Sequence, residues 1–133
     1  MVTYVLDSFA VLAFLQKESG SSSVNEILEG ARKKGVTVFF SELSLGEVYY
    51  ILIRALGVEE ANVTLAHIIA LPMSIVPVDR DDVLAAGELK ARGSISYADC
   101  FVVALAARKH ATIVTGDREF ATFENLVKIL WLG

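Results

Sequence analysis

The sequence is poor in the residues that would point to several common protein classes. It has a single cysteine, Cys100, in 133 residues. One thiol cannot form an intramolecular disulfide framework or a cysteine-rich zinc site, and a reducing cytoplasm is the expected compartment. Long apolar runs are also missing. The longest, Cys100 to Ala107, is eight residues, whereas a membrane span needs about 20. A secretory leader is not expected, because Asp7 interrupts the segment that would have to be apolar. There is no basic excess. Twelve Lys and Arg stand against 16 Asp and Glu, giving a formal charge of −4. Non-specific nucleic-acid binding usually shows the opposite balance. Prolines number two, Pro72 and Pro77. No internal repeat, low-complexity tract or linker-length loop divides the chain.

What is abundant is apolar surface. Such residues make up 54% of the chain, and the mean hydropathy is +0.54. That excludes a disordered protein. The length fits one domain, 1–133, with a core of its own. So apolar a small domain is expected to cover part of its surface with another chain.

Hydrophobic patterning alternates between two periods. Val2–Leu6 reads as a buried strand ending at Asp7-Ser8, good residues for a helix N-cap. An apolar helix follows to about Leu15. Ser21–Ser23 offers the cap of a second helix, closed near Lys34 by Gly35. Val36–Phe40 is a second strand. Ser41 or Ser44 caps a helix that stops at Gly57. Glu59 and Glu60 open a further helix that ends before Pro72. Met73–Val78 is a third strand, which Pro77 disfavours for a central position. A helix from Asp79–Asp82 to Gly93 and another from Ser96 to His110 precede a strand at Thr112–Thr115. Asp117–Phe123 is a turn or short helix, and Leu126–Trp131 a last strand. Strands separated by helices imply an α/β/α sandwich around a mostly parallel sheet of four to five strands. In such sheets ligands sit beyond the carboxyl ends of the strands.

Four acids stand out against that frame. Asp7 and Asp117 each follow a strand, although an Asp there is commonly just a cap or turn residue. Glu47 shares a helix face with Leu43, Tyr50 and Ile51. Asp99 shares one with Val102, Val103 and Ala106. A carboxylate on an apolar face is costly unless it is paired or binds a cation. Arg54, seven residues after Glu47, is the base in reach along that face. Asp99 has a simpler explanation as well, since Ser96-x-x-Asp99 has capping-box spacing. Together, four carboxylates at one sheet edge would repel unless protonated or bound to a hard divalent cation. Oxygen-only ligation favours Mg²⁺ or Mn²⁺ over zinc. Asp79 also follows a strand, but it opens an acidic first turn and reads as a cap. His67 and His110 have no metal or triad partner in view, and Cys100 reads as a buried small hydrophobe.

Four segments, in order, resemble the PIN domain, most closely the VapC-type ribonuclease toxins of toxin–antitoxin pairs. They are Val5-Leu6-Asp7-Ser8, Ser44-Leu45-Gly46-Glu47-Val48, Ser96-Tyr97-Ala98-Asp99 and Thr115-Gly116-Asp117-Arg118-Glu119-Phe120. The resemblance implies a three-layer α/β/α PIN-like domain and Mg²⁺- or Mn²⁺-dependent endonucleolytic cleavage of RNA. It also implies a homodimer and a small VapB-like antitoxin partner. By the motif match Asp7, Glu47, Asp99 and Asp117 form the acidic quartet, catalytic and metal-binding. Ser8 and Thr115 match hydroxyl positions beside it that orient carboxylates. Glu119 stands where many relatives have Asp and is a candidate fifth acid. Phe9 stands where many have a small polar residue. Arg92 and Arg118, beside the site in sequence, are candidate RNA contacts. Two other classes remain open: a non-catalytic interaction module on the same fold, and a metal-dependent phosphatase or receiver-type domain. The latter lacks a second strand-end Asp next to Asp7.

Overall fold

The computed structural model describes residues 1–133. Five parallel strands form one sheet in the order β3-β2-β1-β4-β5. They are β1 (Val2–Leu6), β2 (Val36–Ser41), β3 (Ser74–Val76), β4 (Thr112–Thr115) and β5 (Ile129–Trp131). Six α-helices join them: α1 (Ser8–Leu15), α2 (Ser21–Arg32), α3 (Glu42–Leu56), α4 (Val58–Ile69), α5 (Arg80–Arg92) and α6 (Tyr97–Lys109). A 3₁₀ helix, Arg118–Phe123, links β4 to β5. None of the helices is long and apolar enough to cross a membrane.

This order places the helices. From β1 the chain steps outward to β2 and β3, then returns past β1 to β4 and β5. Right-handed crossovers put helices on one face while the chain steps one way and on the other face when it reverses. The two cores follow that division. Leu6, Val38, Phe40 and Val114 pack with residues of α1 to α4. Val5 and Ile113 pack with α5, α6 and the 3₁₀ segment. Neighbouring residues of one strand thus feed opposite cores, as a period of two requires. Helix α6 is buried from Asp99 through Ala106, so its apolar run is a core helix and not a membrane segment.

The edge strands answer to sequence. Pro77 lies just past β3, which is three residues long and pairs only with β2. A residue without an N–H is tolerated there because no further strand needs the donor. The last strand is shorter than its apolar run, with residues 126–128 outside it. Two helix ends differ from expectation. The cap of α2 is Gly20, at φ 91°, with no side-chain bond, and Ser21 is the first helical residue. A left-handed cap needs no Cβ, and Gly20 lies so close to Leu132 that a Cβ would stand 2.8 Å from Leu132 Cβ. At the far end of α2 the left-handed residue is Lys34, at φ 61°. Gly35 instead donates its N–H to Gly30 O at 2.8 Å. Of the two serines offered as cap for α3, Ser41 serves and Ser44 is buried within the helix.

The point where strand order reverses lies between β1 and β4, whose Tyr4–Leu6 and Thr112–Val114 are paired. A crevice beyond the carboxyl ends of those strands is where this class of sheet binds ligands. Ile113, fully buried in the centre of β4, tests the packing that sets this junction. Ile113→Ala should cost about 2–5 kcal/mol, read as a lower urea midpoint at unchanged slope.

Candidate metal centre

Asp7 follows β1 directly and is 2% exposed. It caps α1, with Oδ1 accepting from the Ala10 N–H at 2.8 Å. Its other oxygen, Oδ2, accepts from the Thr115 hydroxyl at 2.5 Å. Thr115, the last residue of β4, in turn accepts the Asp117 N–H on Oγ1 at 3.0 Å. A hydrogen-bonded chain therefore runs from the end of β1 to the turn after β4. The cap reading of Asp7 is correct, and the same residue is tied to the end of β4. Asp117 is likewise both cap and cluster member: its Oδ1 accepts from the Glu119 N–H at 3.0 Å.

Asp99 lies in the first turn of α6. Ser96 Oγ accepts from the Asp99 N–H at 3.1 Å, but the return bond of a capping box is not made. The contrast is Asp79, where both arms form: Asp82 N–H to Asp79 at 3.0 Å and Asp79 N–H to Asp82 at 3.1 Å. Asp79 thus spends its carboxylate on its own helix, and those bonds lower its pKa. Asp99 keeps its carboxylate for the sheet edge. There, ligand atoms from Asp99, Asp117 and Glu119 lie within 4.8 Å of one another.

Asp7 and Glu47 stand outside that tight trio but within its field. Burial pushes Asp7 up to about 7. The Thr115 and Ala10 hydrogen bonds oppose the rise, and the charges of Asp99 and Asp117 add to it. Burial also pushes Asp99 up to about 6. Ser96 opposes this, while Asp117, Glu47 and Glu119 reinforce it. Charge thus links all five acids, with Asp99 and Asp117 acting on Asp7, and Asp117, Glu47 and Glu119 on Asp99. Glu119 belongs to the trio, so the fifth acid is as close to the centre as any of the four.

No base offsets them. The chain's ion pairs are Arg32–Glu29 at 3.3 Å and Arg108–Asp82 at 3.4 Å. Arg54 does not pair with Glu47; its guanidinium lies 5.0 Å from the Tyr50 ring centroid instead. Two of the acids do sit at helix N-termini, where the backbone dipole favours negative charge. The donor set is oxygen only, anionic and free of cationic partners, which fits a hard divalent cation.

The remaining candidates divide. Thr115 is bonded to Asp7. Ser8, the first residue of α1, makes no hydrogen bond through its hydroxyl to this cluster. Arg92 is exposed at the end of α5. Arg118 lies over the Trp131 ring, 4.6 Å from its centroid. That stacking had no signal in the sequence, because it joins the 3₁₀ helix to β5. Lys90 was also not singled out. Its Nζ donates to Ile95 O at 2.9 Å and ties down the loop leading into α6.

A parallel α/β/α sandwich with acids gathered at its strand-order reversal is a known class. The model of the PIN domain matches residues 4–126, and the chain belongs to that family. Solved structures share the fold. VapBC2 from Rickettsia felis, bound to a promoter DNA fragment, matches with 22% identity and a TM-score of 0.78 over 99% of this chain and 100% of that one. DNA-bound VapBC from Salmonella typhimurium gives 14% and 0.75 over 98% of each chain. VapC20 from Mycobacterium tuberculosis, a toxin that cleaves the sarcin-ricin loop, gives 22% and 0.69 over 90% of this chain and 93% of that one. No curated protein sequence matches the chain.

The raised acids carry a pH signature. Asp7 is protonated in the fold up to about pH 7, against 3.8 as its ordinary value. Between those values the native state holds a proton that the unfolded chain has lost. Stability of the metal-free protein should therefore be greatest near pH 4–5 and fall as pH rises towards 8, by an amount on the order of a few kcal/mol. Thermal melts across pH 5–8 should show this fall in wild type and a flatter profile in Asp7→Asn. Equal slopes would separate Asp7 from the effect.

Proposed function

We propose that this chain, as one PIN-like domain, is a Mg²⁺- or Mn²⁺-dependent endoribonuclease of VapC type. On this reading it is the toxin of a VapBC-type pair, acting in the cytoplasm. The observation that carries the proposal is the trio of Asp99, Asp117 and Glu119 within 4.8 Å of one another, with Asp7 and Glu47 in electrostatic reach and none of the five in an ion pair.

Asp7, Asp99 and Asp117 would hold the cation, with Glu119, which forms the tight trio with Asp99 and Asp117, beside them. Glu47, half-buried on α3, completes the shell or accepts the proton of the attacking water. When bound, Mg²⁺ or Mn²⁺ neutralises phosphate charge and lowers the pKa of the water that attacks it. Thr115 fixes the direction of Asp7 through its hydroxyl, and so sets where one carboxylate oxygen points. Asp7 and Asp99 bind the cation as carboxylates, so affinity rises with pH as their protons leave. Ser8, the other hydroxyl position, makes no bond to the acids. Arg118 and Arg92 are assigned as phosphate contacts at the rim. The Trp131 ring would hold the Arg118 guanidinium in a defined place, at a modest energetic gain.

The apolar excess supports the partners. Leu56, Val58 and Val63 are each about half exposed or more. Leu56 and Val63 line a groove with Leu15, Leu52 and His67 between α1, α3 and α4. Such a surface suits a VapB-like antitoxin segment or the second subunit of a homodimer. It equally suits an interaction module without catalysis, which the activity test separates.

RNA cleavage measured with and without Mg²⁺ or Mn²⁺ tests the proposal. Wild type should cleave only with the cation. Asp99→Asn should abolish cleavage while keeping the wild-type circular dichroism spectrum. A fully active Asp99→Asn would reject the site. Thr115→Val should weaken Mn²⁺ binding by about 10–100-fold, the range for lost carboxylate-orienting bonds, as read by calorimetry.

A further inference from the structure

Phe9 is the second residue of α1 and is 43% exposed. It joins neither hydrophobic core. It has no aromatic partner either, since the chain's paired rings are Tyr97 and Phe101. Its ring lies against Gly116. A Cβ at Gly116 would collide with two atoms of that ring, at 2.3 and 2.5 Å, and press on a third at 3.1 Å. The absence of a side chain at Gly116 thus lets a phenyl ring rest on the peptide between Thr115 and Asp117. The ring is thus seated on the backbone just past the end of β4, with Phe9 still 43% exposed. Exposure alone would mean little, because single exposed apolar residues are common. The position is what matters. The ring stands two residues from Asp7 and rests on the residue before Asp117, both members of the acid cluster.

A second consideration bears on how RNA is held. A chain of net charge −4 has little counterion-release energy to draw on, whereas nucleic-acid binders usually take most of their affinity from that source. Stacking on aromatic faces is the other general source of affinity for unpaired nucleotides.

We propose that Phe9, seated on Gly116, is the platform on which the nucleobase next to the scissile phosphate stacks. The base must be unpaired to lie on the ring, so the RNA at that point is a single strand or loop. Every base offers a π-face, so Phe9 places the strand without reading its sequence. This inference rests on the ribonuclease reading.

The test uses wild type, Phe9→Leu and Phe9→Trp on a short single-stranded RNA, intact or with an abasic site at either nucleotide flanking the cleaved bond. Leu keeps an apolar contact with Gly116 but has no π-face. Phe9→Leu should lower kcat/KM by about 5- to 100-fold, the range set by stacking energies. Phe9→Trp should stay near wild type. Mn²⁺ affinity and melting temperature should be unchanged in both. One abasic position should slow wild type by a similar factor and leave Phe9→Leu nearly unaffected. Phe9→Leu cleaving at the wild-type rate would overturn the assignment, as would additive effects of the variant and every abasic site. A changed oligomeric state in Phe9→Leu, with cleavage per site intact, would assign the ring to a contact between chains and also overturn it. Failure of wild type to cleave any RNA with cation present would reject the ribonuclease reading itself, before any variant is compared.

Discussion

The hydrogen bond from Thr115 to Asp7 joins residues 108 positions apart at the meeting of β1 and β4. Much of the site depends on it. β1 and β4 pair over only three residues of each strand, and this bond extends the junction past the end of the ladder. The same Thr115 oxygen accepts the Asp117 N–H, so the turn that carries Asp117 is placed by the group that places Asp7. With Ala10 N–H on its other oxygen, Asp7 has little freedom to turn away from its neighbours. A buried carboxylate with both oxygens engaged is satisfied as a hydrogen-bond acceptor and still costly as a charge.

That tension explains the electrostatics. Desolvation is the largest influence on both Asp7 and Asp99, and the neighbouring acids add to it. Nothing cationic in the chain relieves them. The fold supplies only partial compensation through the N-termini of α1 and α6. An arrangement that is unfavourable for the fold alone and favourable once a cation is bound is typical of sites selected for binding and not for stability.

Charge takes on a different meaning once it is located. Set aside the expected quartet, and 12 acids balance 12 bases. Include Glu119, as the tight trio requires, and the rest of the chain has one base in excess. Much of the acidity that appeared to disfavour a nucleic-acid partner is concentrated at one edge of the sheet, where the proposed function puts a cation. Elsewhere the chain is close to neutral.

Much of this was legible in the residues, for reasons that differ from case to case. Asp79 and Asp99 look alike in sequence, each beside a helix start. The acidic first turn after Asp79 correctly marked it as a cap, because a capping box needs only residues three apart. Ser96 and Asp99 have the same spacing, yet only one arm forms, since the Asp99 carboxylate has somewhere else to be. Arg54 is the one base within reach of Glu47 along its helix, and it stacks on Tyr50 instead. The cap at Gly20 was missed because its reason is the close approach of Leu132, more than 100 residues away.

The division has a physical basis. Hydrophobic periods, capping residues and glycine stops act over a few residues, so the sequence by itself determined the order of strands and helices, the α/β class and which acids lie at helix starts or strand ends. Strand order decides which of those ends become neighbours, and that is a property of the assembled sheet. Only the tertiary structure brought Asp117 and Glu119 to Asp99, gave the second oxygen of Asp7 its Thr115 partner and laid Phe9 on Gly116. The Thr115–Asp7 bond, the approach of Asp99 to Asp117 and Glu119, and the Phe9–Gly116 contact each join segments far apart in the chain, where side-chain direction depends on packing that no local pattern encodes.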